Sequence, residues 1–212
     1  MTNALAPGVL HGGSAHGTGA PSPWLVRWAH LMPSGGRALD LACGQGRHAR
    51  WLASRGMHVI AVDRDEAALA TMSMLANVTT LTADLEGAPW PLAEGERFDA
   101  VIVTNYLHRP LFSRIAASVA PGGVLIYETF AQGNERYGKP SNPQFLLAPG
   151  ELFDVAREAG LRVAGFEDVT LAAPRAACVQ RVCATRAAPG ENPGNAALYE
   201  PAAESATIHP YR

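Results

Sequence analysis

Ala38-Leu39-Asp40-Leu41-Ala42-Cys43-Gly44-Gln45-Gly46-Arg47-His48-Ala49 decides how this chain is read. An apolar, strand-like run carries an acid, Asp40, and leads into a Gly-x-Gly turn at Gly44 and Gly46. A helix-like stretch follows the turn. A second acid, Asp63, closes the next apolar run, Met57 to Val62. Glycines let a backbone turn tightly and approach a ligand closely. An acid at the end of the second strand accepts hydrogen bonds from ribose hydroxyls. The layout is that of a nucleotide-type cofactor site at the mouth of a parallel sheet.

Working outward, apolar runs and helical spacings alternate. Ser22-Pro23-Trp24 opens a helix with a capping serine and a proline at its first position. Strands are predicted at 37–41, 57–62, about 78–83, about 99–104 and 124–129. Helices are predicted at 46–55, 65–75, 111–119 and 149–159. Such alternation implies right-handed crossovers and a doubly wound α/β fold. Two last strands, 161–169 and 177–185, are joined by a segment too short for a crossover, so they should pair antiparallel. Asp40, Asp63 and Asp84 each close a different strand. They therefore converge on the sheet edge where ligands of open α/β sheets bind.

Gly44 to Ala49 also fits the loose G-x-G-x-x-G/A fingerprint of NAD enzymes. A pyrophosphate at this turn would be repelled by the carboxylate of Asp40, whereas an ammonium would be held by it. With Asp40 and Cys43 the turn reads D-x-x-C-G-x-G, which resembles motif I of class I S-adenosylmethionine-dependent methyltransferases. Val59 to Asp63, Leu81 to Leu85, Phe98 to Asn105 and Pro121-Gly122-Gly123 with Val124 to Tyr127 resemble the later segments of that family, in its order. The resemblance spans about residues 22–185 and is nearest to small bacterial enzymes of the tellurite-resistance type. It implies a mostly parallel, seven-stranded Rossmann-like sheet with a C-terminal antiparallel strand, and S-adenosyl-L-methionine as cofactor.

The resemblance assigns Asp40 to the methionyl ammonium and Asp63 to both ribose hydroxyls. Asp84 and the Leu85 amide fall to the adenine. Cys43, Gly44, Gly46, Arg64 and Asn105 complete the cofactor set. Cys43 reads as a small residue suited to a tight turn, with a nucleophilic thiol as the alternative. His108 and Tyr106 follow the fourth strand, beside the place of the transferable methyl. His108 suits general-base work, since histidine titrates near neutrality. The bland alternative is a histidine that only shapes the pocket. Arg47 and His48 read as surface or packing residues. The long polar segment after strand five reads as a lid or an ordered surface loop. Its Arg136, Tyr137, Lys139 and Asn142 offer charge, stacking and hydrogen bonds to a substrate.

The 212-residue chain reads as a single domain over 22–186, with flexible segments at 1–21 and 187–212. Its 48% apolar content suffices for a core, and its net charge of −2 disfavours a nucleic-acid surface. No run of about 18 apolar residues suggests a membrane span. No secretion signal opens the chain, and three cysteines form no disulfide framework, so a reducing cytoplasm is expected. Histidine spacing suggests no metal. The leading expectation is a methyltransferase acting on a small molecule. A non-catalytic S-adenosylmethionine-binding module and an NAD(P)-dependent oxidoreductase stand as alternatives. Oligomeric state is not legible.

Overall fold

The computed structural model describes residues 19–190. Most of both expected flexible segments, residues 1–18 and 191–212, lies outside the described residues. The seven strands are β1 (Arg37–Leu41), β2 (His58–Asp63), β3 (Val78–Thr82), β4 (Phe98–Thr104), β5 (Val119–Phe130), β6 (Arg162–Leu171) and β7 (Ala177–Thr185). They form one sheet in the order β3-β2-β1-β4-β5-β7-β6. β1 pairs in parallel with both β2 and β4, so strand order reverses between β1 and β4. β7 runs antiparallel to β6, as the short 172–176 connection requires, and antiparallel to β5 as well.

The helices are α1 (Pro23–Trp28), α2 (Arg47–Ser54), α3 (Glu66–Ala70), α4 (Phe112–Ala117) and α5 (Glu151–Glu158). One face of the sheet buries Ala38, Ile102 and Ile126 against Trp24, Leu25, Leu52 and Met72 from the α1–α3 side. The other buries Leu39, Val101, Val103 and Tyr127 against Ile115 and Leu152 from α4 and α5. Alternating side chains of near-continuously apolar strands fill both faces, as a buried parallel sheet demands.

Two elements differ from their sequence expectations, and the structure narrows a third. α3 ends at Ala70 because the Thr71 and Ser73 hydroxyls donate to the Ala68 and Ala70 carbonyls, at 2.7 and 2.9 Å, and turn the chain there. Met72 is buried below that turn, but Met74 stands 94% exposed. β5 begins at Val119, ahead of Pro121-Gly122-Gly123, which forms an irregularity in the β4 pairing. The segment after β5 is not an open loop. Ala131 bridges Leu147, the Leu147 amide donates to the Phe130 carbonyl at 3.0 Å, and Leu146 and Leu147 are buried.

Candidate functional site

The turn after β1 is built on its glycines. Gly44 (φ +54°) and Gly46 (φ +76°) both lie in the left-handed region. Gly46 has a second constraint, since a methyl there would overlap the Met72 sulfur. Gly44 has none: among the described residues, no atom beyond its own chain neighbours lies within 4 Å of where its Cβ would be. The turn thus presents an open cradle at the β1/β4 switch point, where ligands of such sheets bind. Two non-glycine residues also take positive φ at this sheet edge, Ala42 (+52°) after β1 and Asn105 (+55°) after β4. Backbone strain of this kind gathers at ligand sites.

Asp63 ties the cradle to β2. Its Oδ2 accepts the Gly44 amide at 2.7 Å and its Oδ1 accepts the Asp65 amide at 3.0 Å. Asp40 lies beneath the turn, 1% exposed. Its Oδ2 accepts the Ala49 amide at 3.0 Å, pinning the start of α2, while Oδ1 has no partner. Burial raises its pKa to about 7, against a smaller lowering by the Ala49 amide and Arg47. Cys43 packs into the core, and burial beside Asp40 and Asp63 pushes its thiol well above the usual range. It is therefore not a reactive thiolate.

Asp84 is exposed beyond β3. It accepts the Glu86 amide at 3.0 Å, and this bond with that from Gly87 holds its carboxyl below the usual range, helped by Arg64 and His108. Leu85 turns into the core. Tyr106 sits by the same acids, its hydroxyl buried without a partner and its pKa raised by burial, then by Glu86 and Asp84. Arg64, Asp84, Tyr106 and His108 therefore share one charged neighbourhood, next to Asp63.

The post-β4 stretch is held at three points. The Asn105 amide donates to the Glu128 carbonyl at 2.9 Å. The Tyr127 hydroxyl donates to the Tyr106 carbonyl at 3.0 Å. Arg109 donates to both Glu151 oxygens, at 2.6 and 2.9 Å, and to the Gln144 and Leu146 carbonyls, at 2.8 and 2.9 Å. A guanidinium fork used on both faces is a rigid clamp. The expected substrate residues of the next loop lie elsewhere. Arg136 contacts the Gly133 carbonyl, the Cys178 sulfur and the Tyr137 ring, against the β6–β7 end of the sheet. Asn142 caps a turn by accepting the Gln144 amide at 3.0 Å, and Lys139 is exposed. These four line the outer surface of the loop, and their contacts are not with the 105–108 stretch.

Sequence reasoning missed a buried to half-buried polar row. Thr104, Glu128, Arg181 and Glu167 stand opposite one another on β4, β5, β7 and β6. Glu128 accepts from Arg181 at 3.3 Å and from the Ser22 hydroxyl at 3.0 Å, which locks α1 onto the sheet. His48 is 1% exposed. Its Nε2 accepts the Ser22 amide at 3.2 Å and its Nδ1 faces the Thr104 hydroxyl at 3.3 Å. Burial, then Arg47, lowers its pKa to about 3, so it is neutral and its Nδ1 carries the proton. The signal was helical phase: His48 and Leu52 share one buried face of α2.

No group of three His, Cys, Asp or Glu side chains among the described residues is placed to hold a metal ion. Among the same residues no helix is long and apolar enough to cross a membrane.

Comparison with known proteins agrees with this architecture. Residues 38–123 match the model of a methyltransferase domain family. An uncharacterised methyltransferase of Mycobacterium tuberculosis is 37% identical over 117 residues, 51% of this chain and 58% of its own length. The tRNA U34 carboxymethyltransferase of Methylococcus capsulatus is 30% identical over 183 residues, 73% of this chain and 56% of its own length. The chain thus spans less than two thirds of these curated relatives. The crystal structure of TehB from Haemophilus influenzae superposes with a TM-score of 0.62 at 19% identity, covering 76% of this chain and 61% of that one.

Proposed function

From the class I S-adenosylmethionine-dependent methyltransferase fold that this chain carries, we propose that it methylates a small-molecule acceptor beyond the carboxyl ends of β4 and β5. The observation that carries the reading is the open cradle at Gly44, joined to Asp63 and flanked by Asp40 and Asp84. The residues fit the cofactor. Asp63 has lone pairs left for ribose hydroxyls after serving two amides. Asp84 and the Leu85 amide would hold the adenine. Asp40, once ionised, would supply negative potential to the methionyl ammonium, and Cys43 and Gly46 shape the turn.

When bound, S-adenosylmethionine supplies a methyl already activated by the sulfonium for in-line displacement. The chain's part is alignment and the exclusion of water. The pinned stretch Asn105-Tyr106-Leu107-His108 forms the wall beside the reacting centre. His108, partly exposed, takes the acceptor's proton where the acceptor is not already an anion. Residues 22–186 make up the working domain. Three buried, unpaired cysteines suit a reducing cytoplasm.

Labelled S-adenosylmethionine incubated with fractionated cell extract tests the proposal. Label is expected in a low-molecular-weight product. A tRNA fraction serves as control, given the Methylococcus relative. Tight NAD(H) binding with no S-adenosylhomocysteine binding would overturn the reading. Cofactor binding without label transfer in any fraction would favour a non-catalytic binding module.

A further inference from the structure

Arg47 is the first residue of the eight-residue helix α2, one position past the Gly44–Gly46 turn. Its side chain is partly buried. Among the described residues its guanidinium makes no hydrogen bond and no ion pair. The acids nearby on β5 and β6 are matched: Glu128 with Arg181 at 3.3 Å, and Glu167 with Arg181 and Arg27 at 2.6 and 3.0 Å. An arginine carries five donors that burial would leave unsatisfied at a cost. Glu128 and Asp40 lie close enough to influence its charge, yet neither binds it. The guanidinium thus lies within electrostatic reach of Asp40 on β1 and Glu128 on β5, and its backbone adjoins the cradle turn.

We propose that Arg47 is a carboxylate-binding residue and that its ligand is the carboxylate of the methionyl group. The inference rests on the S-adenosylmethionine reading above. That group is a zwitterion, and an acid at this edge can hold its ammonium but not its carboxylate. Bringing a carboxylate near Asp40, Asp63 and Glu128 without a cation would be repulsive. Arg47 is the cation that the adjoining backbone turn delivers, and its planar fork matches a carboxylate with two hydrogen bonds. An anionic acceptor is the other source of a carboxylate here. Position favours the cofactor, because Arg47 follows the cofactor turn directly.

The test is calorimetric binding of S-adenosylmethionine and of its decarboxylated analogue, which keeps the ammonium. Three proteins are compared: wild type, Arg47→Met and Arg47→Lys. Wild type should prefer S-adenosylmethionine by about ten-fold, the scale of a charged hydrogen bond. In Arg47→Met that preference should vanish, through weaker S-adenosylmethionine binding with the analogue unaffected. Arg47→Lys should restore part of it. The analogue's unchanged affinity reports that the variant is folded. Equal loss for both ligands, or no loss for either, overturns the assignment; the second result would hand Arg47 to the acceptor. If wild type binds neither ligand, the S-adenosylmethionine reading itself fails.

Discussion

The Gly44 amide donates to the Asp63 carboxylate at 2.7 Å, so the turn after β1 and the end of β2 are one unit. The same carboxyl that should meet the ribose also holds the cradle's shape. Asp63→Ala should therefore weaken S-adenosylhomocysteine binding by ten-fold or more, since a charged hydrogen bond contributes about 1.5–3 kcal/mol. Asp63→Asn keeps an acceptor oxygen and should lose less. Titration calorimetry on both variants checks this, and an unchanged dissociation constant in Asp63→Ala would reduce Asp63 to a turn residue.

Gly44 and Gly46 should fail in different ways. Gly46→Ala drives a methyl into buried Met72, so its melting temperature should fall by several degrees. Met72→Ala should partly rescue it. Gly44→Ala meets no atom beyond its chain neighbours among the described residues and should cost only about 1–2 kcal/mol for its positive φ. Its larger loss should be in cofactor binding. Equal melting temperatures in the two variants would contradict the packing.

Asp40 gives a pH signature. Its pKa rises from 3.8 in the unfolded chain to about 7 in the fold. The native state therefore holds the extra proton, and this share of stability is present below the lower value and lost as pH rises through the upper one. Asp40→Asn does not ionise. Its melting temperature relative to wild type should climb between about pH 4 and about pH 7 and level off above. A flat difference would mean that Asp40 is not held protonated. Binding of the cationic cofactor nearby should also expel the proton, seen as buffer-dependent binding heats near neutrality.

Tyr106→Phe removes a buried hydroxyl that has no partner, so the ligand-free protein should be as stable as wild type or more so. A loss above about 1 kcal/mol in denaturant titration would reveal an unseen partner.

His108→Ala should lower turnover on the identified acceptor while cofactor affinity stays within about two-fold of wild type, as for a group that acts on acceptor or transition state. If His108 is the base, the variant loses the limb of the pH–rate profile near neutrality. An acceptor that is already anionic leaves turnover and profile almost unchanged, and assigns His108 to shaping the pocket.

Much of the architecture was legible because the strands are apolar runs closed by turn residues, and because the acids fall at strand ends. The antiparallel ending followed from the length of one connection. The Thr104–Glu128–Arg181–Glu167 row was not legible, since cross-strand register depends on pairing between distant segments. Single polar letters in apolar runs do not say which partner they will face. The segment after β5 read as a lid or an ordered surface loop because its glycines and charges stand out. The signal against a lid was Phe145-Leu146-Leu147, a short apolar run whose two leucines are buried and stitch the segment to the end of β5.

The Arg109 clamp has a consequence for acceptor choice. Four donated bonds fasten the post-β4 stretch to the Gln144–Glu151 region before any acceptor arrives. A surface fixed in advance gains affinity for guests that already match it and cannot remould itself around those that do not. Selection then falls at the doorway, by outline. Across a graded series of acceptors, rates should hold level up to a limiting size and then drop abruptly, where a pliant surface would give a gradual slope.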